Sequence, residues 1–136
     1  MKIQLDPGAF MPARGHSYDA GLDIMSIQDL VIPPNSGAVI HTGVHVEIPE
    51  GKCGLLVSKS GLNVKEDITT TGLIDCGYTG EIIVKAYNHS DSPRSIARGQ
   101  KVTQLVILPC VIEDVEVVEK ISGGERGDAG FGSTGK

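Results

Sequence analysis

The chain has 136 residues, a length typical of one domain, with 40% hydrophobic but only 4% aromatic residues. Its net charge of −5 argues against a nucleic-acid partner, which needs a basic stripe, although a local pocket can still bind a small anion. No apolar run approaches the roughly 18 residues of a membrane span, and the first residues do not resemble a signal peptide. We therefore expect an intracellular protein with an aliphatic core and no membrane partner.

The cysteines and histidines show no metal-binding or disulfide pattern. Cys53, Cys76 and Cys110 are widely spaced and form no Cys-x-x-Cys pair. His41 and His45 lie in a strand-like run, where their spacing means only a shared face. These residues predict neither a disulfide framework nor a zinc site.

Apolar and polar residues alternate along most of the chain, which is typical of short strands in a β-sandwich or barrel. The predicted strands cover residues 38–40, 44–48, 54–57, 81–88, 102–108 and 111–118. One short helix is predicted at residues 60–65, with Ser60 as its cap. We expect one all-β domain at residues 1–122, followed by a flexible glycine-rich arm at residues 123–136.

Two segments in the first half combine glycine with polar residues. Residues 20–24 read AGLDI, and Asp23 is either a solvent-facing acid on an edge strand or a carboxylate that orients waters around a phosphate-bound cation. Residues 58–62 read SKSGL. Ser60 there is either a helix cap or, with Lys59 and Gly61, part of an anion site.

Two further segments carry candidate site residues. Residues 72–80 read GLIDCGYTG, a hairpin pattern in which a simple turn does not explain Asp75 and Tyr78. An acid with apolar neighbours is expected to be partly desolvated and fixed, which suits a general base acting on water. Residues 98–105 read RGQKVTQL, and the amide of Gln104 needs either structural partners or phosphate oxygens.

The last segment, residues 126–135, reads RGDAGFGSTG and is either a solvated tail or a closing element. Phe131 can stack on a base, and Arg126 can bind phosphate with two nitrogens. Ser133, Thr134 and nearby backbone N–H groups can complete a phosphate site.

In this order and spacing, the five segments resemble the motifs of the homotrimeric dUTPase family over residues 20–135. The strongest matches are A-G-x-D at 20–23, G-x-I-D-x-x-Y-x-G at 72–80 and R-G-x-x-G-F-G-S-T-G at 126–135. The resemblance implies a β jelly roll that forms a homotrimer with active sites shared between subunits. It also implies Mg²⁺-assisted hydrolysis of dUTP to dUMP and pyrophosphate, which lowers dUTP and supplies dUMP for thymidylate synthesis.

The resemblance further implies a role for each matched residue. Asp75 corresponds to the carboxylate that activates the attacking water, and Tyr78 to the ring that packs on the sugar and rejects ribose. Asp23 corresponds to a residue acting on the water shell of a metal that has no direct protein ligand. The other expected substrate contacts are Lys59, Ser60, Gly61 and Gln104 for the phosphates, Gly72, Leu73, Ile74 and Ile83 for the nucleoside, and Arg126, Phe131, Gly132 and Ser133 in the arm.

The chain departs from the family pattern at two positions. Lys59 stands where the family usually has arginine, which keeps the charge but loses the two-nitrogen fork. We expect this change to affect efficiency without abolishing activity. Gly77 stands where an acidic residue is common, and the loss of that charge could loosen the turn.

Two other classes of protein fit the sequence less well. A dCTP deaminase shares the fold, but its glutamate on the following strand is replaced here by Lys85. A non-catalytic jelly-roll module would not need Asp75, Tyr78 and the arm motif together. Both alternatives are therefore disfavoured.

Overall fold

The computed structural model describes residues 1–124 and Gly127, and in this part of the chain it contains ten strands and one short helix. The strands follow the alternation of apolar and polar residues. The helix α1 (Ser60–Glu66) lies between the sixth and seventh strands. The strands are β1 (Lys2–Leu5), β2 (Gly21–Met25), β3 (Leu30–Ile32), β4 (Ser36–Ile40), β5 (Val44–Glu47), β6 (Lys52–Ser58), β7 (Ile68–Ile74), β8 (Val84–Asn88), β9 (Arg94–Ile96) and β10 (Lys101–Pro109).

The strands pair in antiparallel fashion in three sheets. The largest has six strands in the order β2-β10-β6-β7-β8-β4, and two smaller sheets pair β1 with β5 and β3 with β9. Neighbours in the large sheet are mostly distant in sequence, which is the connectivity of a jelly-roll-like β fold. The predicted all-β class is confirmed.

The core between the sheets is aliphatic, as the scarcity of aromatic residues predicts. Ile24, Ile40 and Leu56 are completely or almost completely buried, and so is Leu105. Isoleucine and valine suit this packing because their branched side chains fit the pleated surface of a strand.

The sixth strand occupies a central place in the large sheet. It pairs with β10 along its whole length and with β7 over its middle residues, so that Gly54 lies opposite Ile74 and Ser58 lies opposite Thr103. A Cβ atom at Gly54 would lie 2.7 Å from Leu105 Cδ1. The core is therefore closely packed against this strand.

The helix is found where it was predicted, but its cap differs. Lys59, not Ser60, is the N-cap residue, and its extended backbone (φ −73°, ψ 132°) turns the chain into α1 without a capping side-chain hydrogen bond. Ser60 is the first helical residue. The helix ends at Asp67, whose left-handed backbone lets its N–H donate to the carbonyl of Leu62.

Two predicted strands need correction. The run at 81–88 becomes strand only from Val84, because Glu81 and Ile82 bond instead to His45 and Val44 of β5. The run at 111–118 forms no strand in the described chain, and its side chains are exposed. A strand requires a partner edge, and this segment pairs with none of the described strands.

We predict that Gly54→Ala destabilises the fold by about 1–3 kcal/mol, because the added methyl group would also lie 2.8 Å from Ile48 Cδ1 and overpack the core. Gly61→Ala is the matched control: no atom lies within 4 Å of its added Cβ, and alanine favours a helix over glycine by about 1 kcal/mol. Urea unfolding of both variants measures the difference. Equal stability of the two variants would contradict the packing described here.

Candidate active site

A buried acid joins three polar side chains at one end of β6. Asp23 on β2 is only 4% exposed, and its Oδ1 contacts the Lys59 ammonium and accepts a hydrogen bond from Gln104 Nε2 at 3.2 Å. Its Oδ2 lies 2.8 Å from Lys101 Nζ. Asp23, Lys59 and Gln104, predicted separately from the sequence, thus form one cluster, which we call the acid–amine cluster together with Lys101. Asp23 is therefore not a solvent-facing acid.

Strand register and a glycine explain how the cluster forms. Asp23 lies opposite Gln104 in the β2–β10 ladder. A Cβ atom at Gly21 would lie 3.0 Å from Gln104 Cβ and 3.2 Å from its Nε2, closer than a side chain normally tolerates. The absence of a side chain at Gly21 therefore gives the Gln104 amide room to reach Asp23, which explains the spacing of the 20–23 motif.

The cluster keeps one negative charge between two positive ones. Burial alone would raise the pKa of Asp23, but the ammonium groups of Lys101 and Lys59 outweigh it and hold this pKa below its ordinary value. With both lysines charged, the cluster carries a net charge of about +1. It gives an acidic chain a local cationic surface, and Lys101 is about half exposed there.

The hairpin that follows β7 carries the predicted base and sugar-contacting ring. The Asp75 carbonyl accepts a hydrogen bond from the Tyr78 backbone N–H at 3.2 Å, and Gly77 has a positive φ of 88°. That backbone favours glycine, so the glycine at this position suits the turn instead of loosening it. Asp75 itself is exposed, so the predicted partial desolvation is wrong for the single chain, because the hairpin leaves this side chain outside the core.

The ring of Tyr78 is held within the hairpin. Its hydroxyl donates to the carbonyl of Glu81 at 2.9 Å. A Cβ atom at Gly80 would lie 2.6 Å from Tyr78 Cζ, so the ring lies directly over that glycine. Gly80 is therefore needed for this position of the ring.

Three large apolar side chains on and beside the hairpin are exposed. Leu73 is 62% exposed, Tyr78 45% and Ile83 47%, although such residues are usually buried. Ile74 is buried in the core, and Gly72 packs over Leu56. The predicted nucleoside contacts are thus on one hairpin, with an exposed apolar surface that can accept a flat ring.

The acid–amine cluster and the hairpin lie at opposite ends of β6. Lys59, Ser60 and Gly61 follow the Ser58 end of β6. Ile74, which precedes Asp75, pairs with Gly54, so the antiparallel hairpin continues toward the Lys52 end. The four residue-to-residue steps from Gly54 to Ser58 span about 13 Å in a strand. One chain therefore does not bring these two groups together.

Two residues with clear contacts were missed from the sequence. Lys101 reads as one polar residue at a strand start, and only the ladder shows that it shares Asp23 with Lys59. Glu81 follows the hairpin motif directly, which was the available signal. Its carboxylate accepts hydrogen bonds from the backbone N–H groups of Thr42 at 2.9 Å and Gly43 at 2.8 Å.

The predicted contacts in the arm are not among the residues that the structure describes. Arg126, Phe131, Gly132 and Ser133 lie outside the described residues. Within the described part of the chain, no three histidine, cysteine or acidic side chains are grouped to hold a metal ion. No helix among those residues is long and apolar enough to cross a membrane.

The fold and the two polar groups define an all-β protein with a cationic, anion-attracting cluster and an exposed acidic hairpin. The dUTPase family model matches residues 8–135. The deoxyuridine 5'-triphosphate nucleotidohydrolase of Gloeothece citriformis is 41% identical over 135 residues, covering 97% of this chain and 93% of that protein. The enzyme of the same name from Clostridium tetani is 40% identical over 140 residues, covering 100% of this chain and 97% of that protein. The chain therefore belongs to the dUTPase family of nucleotide hydrolases.

Solved structures agree with this assignment. The dUTPase of Staphylococcus bacteriophage 80alpha with dUpNHpp is 35% identical to this chain and has a TM-score of 0.92. The match covers 99% of this chain and 98% of that chain. A mutant dUTPase of S. aureus phage phi11, in which a structural Mg(II) ion is coordinated, has a TM-score of 0.81 at 33% identity. The match covers 90% of this chain and 98% of that chain.

We predict that Asp23→Asn lowers stability by about 2 kcal/mol at pH 7, because both ammonium groups lose their counter-charge. Since the folded pKa of Asp23 is lowered from 3.8, its contribution is present above that value and lost as the pH falls through the folded pKa. The difference between variant and wild type should therefore shrink below pH 3.8. Thermal unfolding at pH 7 and at acid pH measures it.

Asp91→Asn is the control, since among the described residues this exposed carboxylate accepts just one side-chain hydrogen bond, from Asn35 at the surface. It should change stability little at either pH. A loss for Asp23→Asn that stayed constant down to acid pH would contradict the ion-pair account.

Proposed function

We propose that the chain hydrolyses dUTP to dUMP and pyrophosphate with Mg²⁺, through attack on the α-phosphate by a water that Asp75 activates. The observation that carries this proposal is that the motif residues form two chemically distinct groups, a cationic cluster and an acidic hairpin. Phosphoryl transfer needs these two things, charge neutralisation and an oriented nucleophile. The reaction would lower dUTP and supply dUMP for thymidylate synthesis inside the cell, where this substrate occurs.

The cationic cluster suits the phosphates. Lys59 and Lys101 share a single carboxylate, so their combined charge is not fully balanced by the residues that the structure describes. Gln104 adds an amide that is half-buried beside them. Together with Ser60 and Gly61 at the start of α1, these groups would bind the triphosphate oxygens.

The acid–amine cluster leaves a limited role for Asp23 toward a metal. Its Oδ1 accepts from Lys59 and Gln104, and its Oδ2 faces Lys101, so one lone pair of Oδ2 remains for a further donor. This fits a hydrogen bond from a metal-bound water better than direct ligation. Mg²⁺, when bound to the substrate phosphates, would supply charge neutralisation at the reacting phosphorus.

The hairpin suits the nucleoside and the attacking water. Asp75 is exposed, so its carboxylate can accept a proton from a water beside a bound nucleotide. The ring of Tyr78 would pack against the deoxyribose, and Leu73 and Ile83 would border the base. The backbone of Gly72 and Ile74 would read the uracil edge. Arg126, Phe131, Gly132 and Ser133 would then close over the nucleotide from the arm at residues 123–136, outside the 1–122 domain.

We propose that active sites are shared within a homotrimer. The two groups are separated along β6 by about 13 Å in one chain, so a second copy must bring its hairpin to the first copy's cluster. The exposed apolar segment at 111–118 supports assembly as well. Val115 and Val117 are each 94% exposed, a cost that a neighbouring subunit would remove.

We predict that Asp75→Asn lowers pyrophosphate release from dUTP by a factor of about 10²–10⁴, since it removes the base but keeps the shape of the side chain. Binding of the non-hydrolysable dUpNHpp should stay close to that of the wild type. Asp91→Asn is the control and should retain full turnover. Full turnover by Asp75→Asn would refute the proposed base, and release of ammonia from dCTP without pyrophosphate would refute the proposed reaction.

We predict that mixing the Asp75→Asn and Lys59→Ala proteins restores activity. If a site takes Asp75 from one chain and Lys59 from another, random reassembly of equal amounts makes about a quarter of the sites complete. The measurement is pyrophosphate release after joint unfolding and refolding. Activity that stays at the average of the two separate variants would show that sites are not shared.

A further inference from the structure

Glu81 joins the hairpin to the loop between β4 and β5. Its Oε1 accepts hydrogen bonds from the backbone N–H groups of Thr42 at 2.9 Å and Gly43 at 2.8 Å. Its Oε2 lies 2.9 Å from His41 Nδ1. These three contacts reach about 40 residues back along the chain, so the carboxylate anchors the hairpin to a separate part of the fold.

The anchor is ionised and strongly held. Burial alone would raise the pKa of Glu81, but the Gly43 N–H, the His41 ring and the Thr42 N–H hold this pKa below its ordinary value. A carboxylate makes shorter and roughly twofold stronger hydrogen bonds than a neutral acceptor. The side chain is only 21% exposed, which limits competition from water.

The same residue also holds the ring of Tyr78. The Tyr78 hydroxyl donates to the backbone carbonyl of Glu81 at 2.9 Å. The ring cannot move inward, because it already lies over Gly80. The orientation of the ring therefore depends on where the Glu81 backbone lies. The Glu81 side chain helps to fix that position, together with the backbone contacts of Glu81 with His45 and of Ile82 with Val44.

We propose that Glu81 is a positioning residue that fixes Tyr78 and thereby sets the preference for deoxyribose over ribose. This inference rests on the proposed function, in which the Tyr78 ring packs against the sugar. A ring rejects one extra hydroxyl group only if it cannot shift to make room, and such a site must be held to within about 0.5 Å. The tether through Glu81 supplies that restraint.

The hairpin has a second attachment, which keeps the test interpretable. His45 Nδ1 lies 2.9 Å from the Thr79 carbonyl, so the hairpin stays attached to β5 when the Glu81 side chain changes. We therefore expect Glu81 variants to fold. Glu81→Gln keeps an oxygen for the two N–H groups but loses the charge, whereas Glu81→Ala loses every contact of the side chain.

The test measures kcat/KM for dUTP and for UTP by pyrophosphate release. Glu81→Ala should lower the dUTP-to-UTP ratio about tenfold or more, and Glu81→Gln should give an intermediate value. Glu47→Gln is the matched control, because Glu47 is an exposed residue of β5 that pairs with Lys2, and it should leave the ratio unchanged. Circular dichroism and sedimentation check folding and assembly.

A double-mutant cycle tests the route through the hydroxyl. Tyr78→Phe cuts the same tether from the other end, so adding Glu81→Gln to Tyr78→Phe should change the ratio little further. Fully additive effects of the two substitutions would overturn the proposal. An equal loss of kcat/KM for dUTP and for UTP in Glu81→Ala would also overturn the proposal, since Glu81 would then act on the fold alone.

A reference variant separates the two hypotheses. If Tyr78→Ala leaves the dUTP-to-UTP ratio unchanged, the sugar-contacting role of Tyr78 fails, and the Glu81 proposal fails with it. If Tyr78→Ala collapses the ratio while both Glu81 variants keep it, only the Glu81 proposal is overturned and the proposed function stands.

Discussion

The ladder of β6 with β10 and β7 is the constraint on which the arrangement of this protein depends. β6 is hydrogen-bonded to a strand on each edge, and close packing at Gly54 leaves no space for a side chain there. The cationic cluster at one end and the acidic hairpin at the other are therefore held apart. Bringing the two halves of the site together in one chain would break the ladder. Their separation therefore supports the proposed sharing of the site between copies.

Charge placement follows from the same ladder. Asp23 is almost completely buried, and a buried acid normally becomes harder to ionise. Lys101 reaches it from the start of the neighbouring strand β10, and Lys59 reaches it from the N-cap of α1, and together they reverse the effect. The buried acid in turn keeps two ammonium groups close to each other despite their repulsion. A chain with a net charge of −5 thus presents a positive surface without needing an overall basic composition.

The parts of the structure that could be predicted are those governed by local pattern. The helix at 60–66, the strongly alternating strands and the hairpin at 72–80 depend on residues close in sequence. Strands β1, β3 and β9 were missed because they have only three or four residues, too few for a periodic signal. Strand β7 was missed because three threonines and a glycine interrupt its apolar alternation, and β2 was considered only as one alternative for Asp23. The roles of Lys101 and Glu81 were missed for a different reason. Both depend on partners far away in sequence, which no local pattern reveals.

The wrong prediction at 111–118 is informative in physical terms. Val115, Glu116 and Val117 alternate as in a half-buried strand, yet both valines, like Val111, are exposed in the single chain. The apolar and polar pattern of a segment indicates which side chains are buried in the functional protein, and a neighbouring subunit can contribute to that burial. A strand-forming segment that pairs with none of the described strands of its own chain retains the hydrogen-bonding groups and apolar surface to pair with another chain. The pattern and its exposure are reconciled if the segment packs on a neighbouring subunit of the proposed trimer, which would also bring together the groups at the two ends of β6.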